Sequence, residues 1–290
     1  MNDKTAKKNI LLLTVIVLIL VVASGTATYA WFSTSARLDI QGVNFYARVN
    51  DKLKISVDAI EWSSSVNGSD FEVDISEMDN VYPSTYLGYD LFDNQNAPFK
   101  RLINNTSTDR GISYYTSPEE FVDATQDEYY FVAPIYLQST SLMDIYLDEN
   151  SYIMPYTTIE EGKFNNDFIA GAARVGIFNE VGQPIIIWAA NASYQIKNYG
   201  QGHAELVYDG KDVAHNKATY VDGKEYNFVS TLGSNFNTQY KLYSELEPYT
   251  TLKLYIVYWV EGEDSEAVSA FAGGQVIFNV SFRGIPLETE

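Results

Sequence analysis

No cysteine occurs among the 290 residues, which excludes a disulfide scaffold, a thiol nucleophile and a thiolate metal site. Histidine is nearly as scarce. His203 and His215 stand twelve residues apart in Gly/Asp-rich surroundings, with no HExxH and no helical pattern to bring them together. A catalytic zinc site needs just that kind of pairing, so metal and cofactor are both expected to be absent. No Gly-x-Ser-x-Gly elbow is present. Bases are few as well: 19 Lys and Arg face 38 Asp and Glu, for a net charge of −19. With no basic stripe anywhere, nucleic acid is excluded as a partner, and anionic lipid is repelled. Acids are so widespread that no particular pair of them signals a glycosidase. The chain is therefore not expected to be an enzyme.

What the sequence does have begins with its one long apolar run. Lys4, Lys7 and Lys8 precede Ile10 to Ala23, where every residue but Thr14 is apolar. Ser24-Gly25-Thr26-Ala27-Thr28 follows, then Tyr29-Ala30-Trp31-Phe32. A charged start, an apolar stretch of secretory length and a small-residue exit predict a leader cleaved between Ala30 and Trp31. Residues 10–32 carry no charge and as one helix are also long enough to span a bilayer uncleaved. Both readings leave the lysines inside and send the rest outside. Residues 1–30 are thus a signal peptide or membrane anchor, and 31–290 a single extracellular domain. Residues 1–30 hold three lysines and one aspartate, so the remaining 260 carry −21.

Beyond the leader the pattern is that of strands. Leu38 and Ile40 alternate with Asp39 and Gln41, and Val43, Phe45, Ala47 and Val49 continue the alternation one residue out of phase. Gly42 marks the junction, which predicts a β-bulge. Leu53–Ala59 follows as a second strand, then a turn at Asn67-Gly68-Ser69 and a short strand at 71–75. Residues 79–116 show no sustained period and read as an elaborated loop. Ser117-Pro118-Glu119-Glu120 is a helix start, predicting two turns of helix to Ala124. Strand character returns at Tyr129–Leu137, with Asp144–Leu147 as its hairpin or corner partner. A compact strand at Ala172–Phe178 turns at 179–183 into Ile185–Trp188. Asp209-Gly210 and Asp222-Gly223 are hairpin signals. Leu252–Val260 and Gln275–Phe282 alternate most cleanly, joined by an acidic turn and a short Ala-rich helix over 261–272. With 23 Tyr and 15 Phe to fit pleated surfaces, the expected fold is all-β. It is an antiparallel, jelly-roll-like β-sandwich with long loops and short helices, preceded by the N-terminal hydrophobic helix.

Gly25 to Ser33 resembles the exit segment of TasA/camelysin-type secreted proteins of Gram-positive bacteria. Gly171-Ala172-Ala173-Arg174-Val175 and Trp259-Val260-Glu261-Gly262-Glu263-Asp264 are similar to segments of related surface proteins. The resemblance implies a secreted jelly roll, cleaved by a dedicated signal peptidase, that polymerises into cell-surface fibres of the biofilm-matrix kind. In such fibres the segment freed by cleavage inserts as a strand into the next subunit. Here that segment is residues 31–49, with Leu38, Ile40, Val43, Phe45, Ala47 and Val49 as the inserting side chains. Self-association or other surface proteins are then the partners, with the membrane met during export or as an anchor. The same alternation also fits an ordinary first strand of the chain's own sandwich. Camelysin-type proteins have been classed as metalloproteases, which the two isolated histidines do not support.

Two further features stand out. Glu261, Glu263, Asp264 and Glu266 are a dense oxygen cluster, read as the acidic start of the following helix rather than a cation loop. Trp188 and Trp259 read as packing residues, whereas Trp62, beside a turn, is a possible ligand platform. It supports the alternative of a membrane-anchored adhesin that binds glycan or host protein through loops at 63–70 or 80–116.

Overall fold

A computed structural model describes residues 38–48, 52–71, 78–103, 118–148, 150–157, 165–189, 241–262, 267 and 272–288. Between 190 and 240 it describes only 194–199, 203–208 and 228–229. The leader, the cleavage junction at Ala30 and Trp31, Val49, the 71–75 strand beyond Phe71 and both Asp-Gly turns lie outside the described residues.

The chain forms an all-β sandwich of two large sheets. The first contains β1 (Leu38–Arg48), β3 (Ser65–Asn67), β4 (Met78–Val81), β9 (Met143–Leu147), β10 (Tyr152–Pro155), β16 (Lys241–Leu246) and β18 (Gly274–Pro286). Its order is β16-β9-β18-β1-β3, with β10 also on β18 and β4 also on β1. The second contains β2 (Leu53–Ser56), β5 (Pro83–Tyr86), β6 (Phe99–Leu102), β7 (Phe121–Asp123), β8 (Tyr130–Ser139), β11 (Ala173–Phe178), β12 (Pro184–Ala189), β15 (Phe228–Val229) and β17 (Thr251–Glu261). Its path runs β15-β12-β11-β17-β5-β6-β7, while β8 and β2 continue from β17. A separate hairpin joins β13 (Tyr194–Tyr199) to β14 (His203–Tyr208).

The core follows from the period-two pattern. Leu252, Leu254, Ile256, Tyr258 and Val260 of β17 meet Val276, Phe278, Val280 and Phe282 of β18 across the sandwich, all buried. The alternation that writes these strands also builds the inner layer. Of the two readings for β8 and β9, hairpin or corner, the structure shows the corner: one pairs with β17 and the other with β18.

Three expectations need correction. The sheets are mixed rather than antiparallel, since β1 runs parallel to β18, β5 to β17 and β15 to β12. No tight turn links any of these pairs, so nothing local imposes the antiparallel sense. The predicted helix to Ala124 is a single 3-10 turn, Pro118–Glu120, followed by β7. Pairing with β6 overrides the local helix signal: Ile103 N donates to Glu120 O at 2.8 Å and Ala124 N to Phe99 O at 3.0 Å. The unpatterned stretch from 79 holds β4, β5 and β6, each four residues long. Such short strands complete no period, and β4 and β5 find partners in the distant β1 and β17.

That β5–β6–β7 excursion covers part of the outer face of the second sheet. Tyr86, Phe99, Phe178, Ile187, Val257 and Trp259 form a second buried cluster there. Trp259 lies 5.3 Å from Phe99 and 5.8 Å from Tyr86 between ring centroids, and Phe99 stacks on Tyr130 at 4.2 Å. Consequently β17 is buried on both faces from Ile256 onward.

Candidate functional site

The site that sequence reasoning nominates is the first strand. Leu38, Ile40, Val43, Phe45 and Ala47 all point into the sandwich, none more than 8% exposed. Phe45 packs on Phe71, ring centroids 5.4 Å apart. Asp39, Gln41, Asn44 and Tyr46 stay half-exposed on the other side. The phase change at Gly42 is a true bulge. Ile40 pairs with Val276 and Gly42 with Ile277, which leaves Gln41 as the extra residue.

The strand is enclosed on both flanks. Ten positions pair in parallel with β18, from Leu38 opposite Gly274 to Arg48 opposite Arg283. On the other edge β4 pairs at Leu38 and Ile40, and β3 at Asn44, Phe45 and Tyr46. The five described side chains of the inserting set therefore fill a groove in their own sheet, walled by β18 and by β3 with β4. A single step of register would turn all five apolar side chains outward, so the fit of strand to groove is specific. Beyond Arg48 only residues 49–52 connect to β2 in the opposite sheet.

The other candidates are placed less centrally. Trp62 is half-buried and follows an ordered turn. The Asp58 carboxylate there accepts from Ile60 N (2.8 Å), Glu61 N (3.0 Å) and Ser56 Oγ (2.8 Å). Those backbone donors, Ile60 first, hold Asp58 below the usual carboxylate range. Ala59 has φ 61°, and Ile60 stands 78% exposed at the tip. Ser63, beside Trp62, is tied to Ile55 by two 2.9 Å backbone bonds. Trp62 and Ile60 are thus displayed from a defined loop.

His203 opens β14, while His215 lies outside the described residues. Among the described residues no cluster of three or more His, Asp or Glu side chains is placed to hold a metal. In the 261–272 segment only Glu261, Gly262, Ala267 and Ala272 are described. Glu261 ends β17 and is buried, so it does not belong to a solvent-facing acidic turn. Its carboxylate accepts from Trp259 Nε1 at 3.1 Å. Trp259 is a packing residue, as its strand position implied, and Trp188 lies on β12.

The two internal segments that carried the family resemblance meet in space. Ala173 pairs with Val260 and Arg174 with Trp259, and Glu261 N donates to Ala172 O at 2.8 Å. Arg174, buried, donates through Nη1 to Gly171 O (2.8 Å) and Ala173 O (3.1 Å). Gly262 N reaches Ser84 O at 3.0 Å, tying both to β5. This junction ties β11, β17 and β5 together within the second sheet.

Sequence reasoning missed the enclosure of β1 and the layer over β17. An eleven-residue strand whose inward positions are all apolar is one cue to a central place. The apolar Val257 and Trp259, on the face opposite Ile256 and Tyr258, are the cue to burial on both faces. Searches against protein-family models and curated proteins find no match to this chain.

Proposed function

We propose that the chain is an exported structural subunit at the surface of a Gram-positive cell, assembling by exchange of its N-terminal strand between copies. One observation supports this reading most. The first strand fills the middle of a sheet, in a groove whose walls come from the far end of the chain and from β3 with β4. A second copy's strand makes the same contacts in that groove as the chain's own, so exchange costs no contact energy and concentration sets the balance. Only four residues separate β1 from β2, and a short connection favours exchange of the element it carries. Leader removal at Ala30 releases the chain ahead of β1 from the membrane. No catalytic step belongs to this role, and fibre partners are further copies or other surface proteins.

The test pins the strand in its own groove. Asp39 and Gln275 are register partners on β1 and β18, and a chain without native cysteine forms one defined disulfide in the D39C/Q275C variant. Oxidised before assembly, this variant is expected to stay monomeric by light scattering and to polymerise once reduced. Polymers that form equally from the oxidised variant rule the exchange out, as does a cleaved wild type that never polymerises.

The alternative, a tethered adhesin, has its own support in the ordered 58–62 turn that displays Ile60 and Trp62. For that role, Trp62→Ala abolishes binding to a glycan array while leaving the unfolding midpoint unchanged. An intact N-terminus on protein recovered from cells accompanies it.

A further inference from the structure

From the pairing of the two end strands we infer that the sandwich is built to carry tension. The β1–β18 ladder acts as a shear clamp between whatever precedes residue 38 and whatever follows residue 286. Leu38 sits opposite Gly274 and Arg48 opposite Arg283, so both strands start at one end of the sheet and run the same way. A pull on the chain ahead of Leu38 drags β1 toward that end. A pull beyond Pro286 drags β18 toward the other. The load therefore runs along the strands and across the hydrogen bonds, and the rungs resist together rather than one after another.

Other features resist the same slide. The bulge at Gln41 interrupts the register, so β1 cannot move by a residue without breaking its pairing on both sides. Every step also drives Leu38, Ile40, Val43, Phe45 and Ala47 from apolar contacts toward solvent. On the flanks β3 and β4 hold β1, while β9 and β10 hold β18, so neither clamp strand is an edge that peels away. With no cysteine, the chain has no covalent brace against stretching, and packing and hydrogen bonds carry all of it. This inference concerns a single folded copy and does not rest on strand exchange. Where exchange occurs, the same ladder links one copy to the next.

Single-molecule pulling tests it on the folded monomer. One geometry pulls the two chain ends. The other pulls the N-terminal end against a handle on Q275C, which opens the ladder from the Leu38–Gly274 rung outward. The end-to-end geometry is expected to need several-fold more force at equal pulling speed, and to release residues 38–286 in one step. Equal forces in the two geometries overturn the clamp. So does an end-to-end trace in which other strands yield first while β1 and β18 stay joined. Forced unfolding reads the unfolding rate rather than equilibrium stability, so the stability of the wild type and of the Q275C variant is measured alongside.

Discussion

Gly274 and Asn166 pack so closely that a Cβ on Gly274 would overlap the Asn166 carbonyl oxygen and stand 2.6 Å from its carbon. Asn166 opens a 3-10 turn, Asn166–Gly171, that abuts the start of β18. The same Cβ would meet Ile169 Cγ2 at 2.8 Å. Backbone on one side and a buried side chain on the other leave no soft direction for relief. Gly274→Ala is expected to destabilise the fold by about 3 kcal/mol, read as a lower denaturant midpoint at unchanged slope. A midpoint within error of wild type would contradict this packing.

Asp167 fixes the same turn from its other side. One carboxylate oxygen accepts from Thr157 N (2.9 Å) and Thr157 Oγ1 (2.7 Å), the other from Gln275 N (2.7 Å). The residue is 5% exposed, so removing it strands the Gln275 N–H on β18 and takes the acceptor from Thr157, two residues past β10. Asp167→Ala is expected to cost about 3 kcal/mol. Asp167→Asn recovers only part, because its amide end presents a donor to a donor. Chemical denaturation of the two variants checks the order.

Tyr258 offers the opposite sign. It lies in the sandwich core, 4.7 Å from the Phe278 ring, and among the described residues its hydroxyl has no partner. Burial pushes its phenol well above the ordinary 10.0. Since the folded value is raised, its stabilisation is complete below pH 10.0 and is lost as pH climbs beyond it and the unfolded phenol ionises. Tyr258→Phe is expected to stabilise the fold by about 1 kcal/mol and to soften this alkaline loss. Unfolding curves at neutral and high pH decide it.

At the β16 edge, Asp144 accepts from Lys241 Nζ, from Glu245 N at 2.9 Å and from Tyr146 Oη at 3.3 Å. Burial of Asp144 works to raise its carboxyl, but these donors, Lys241 first, outweigh it and leave it below the ordinary 3.8. The bond to Asp144 holds Lys241 above 10.5. The depressed acid contributes stability above pH 3.8 that is lost as pH falls through its folded value. The raised base contributes below pH 10.5 and loses it as pH rises through its own. A double-mutant cycle with D144N and K241M should show coupling across that window that fades at both ends. Constant coupling down to pH 2, roughly two units below an ordinary aspartate, would refute the pair.

Much of the fold was legible because single segments encode it. The slip in phase at Gly42 wrote the bulge, and the alternation of 252–260 and 275–282 wrote the two central strands. Placement of those segments was not legible. Nothing in Leu38–Arg48 names β18 as its neighbour, because a parallel pair this distant leaves no turn to read. The helix signal at Ser117-Pro118 was locally sound and lost to β6, a partner four residues long. Asp167 looks like any loop acid. Its three donors come from segments ten residues or more away, and only folding assembles them. Of the candidate site, the inward residues of β1 were identified one by one, and the groove that receives them emerged only in three dimensions.

Strand β17 carries Ile256, Tyr258 and Val260 into one core and Val257 and Trp259 into the other. The two cores therefore share a wall five residues long. Losing that wall strips an inner face from both. The β5–β6–β7 layer loses its seat on Val257 and Trp259 whenever the main sandwich opens at β17, so in this protein the second cluster does not outlast the first. Its slowest-exchanging amides are then those of Ile256 to Val260.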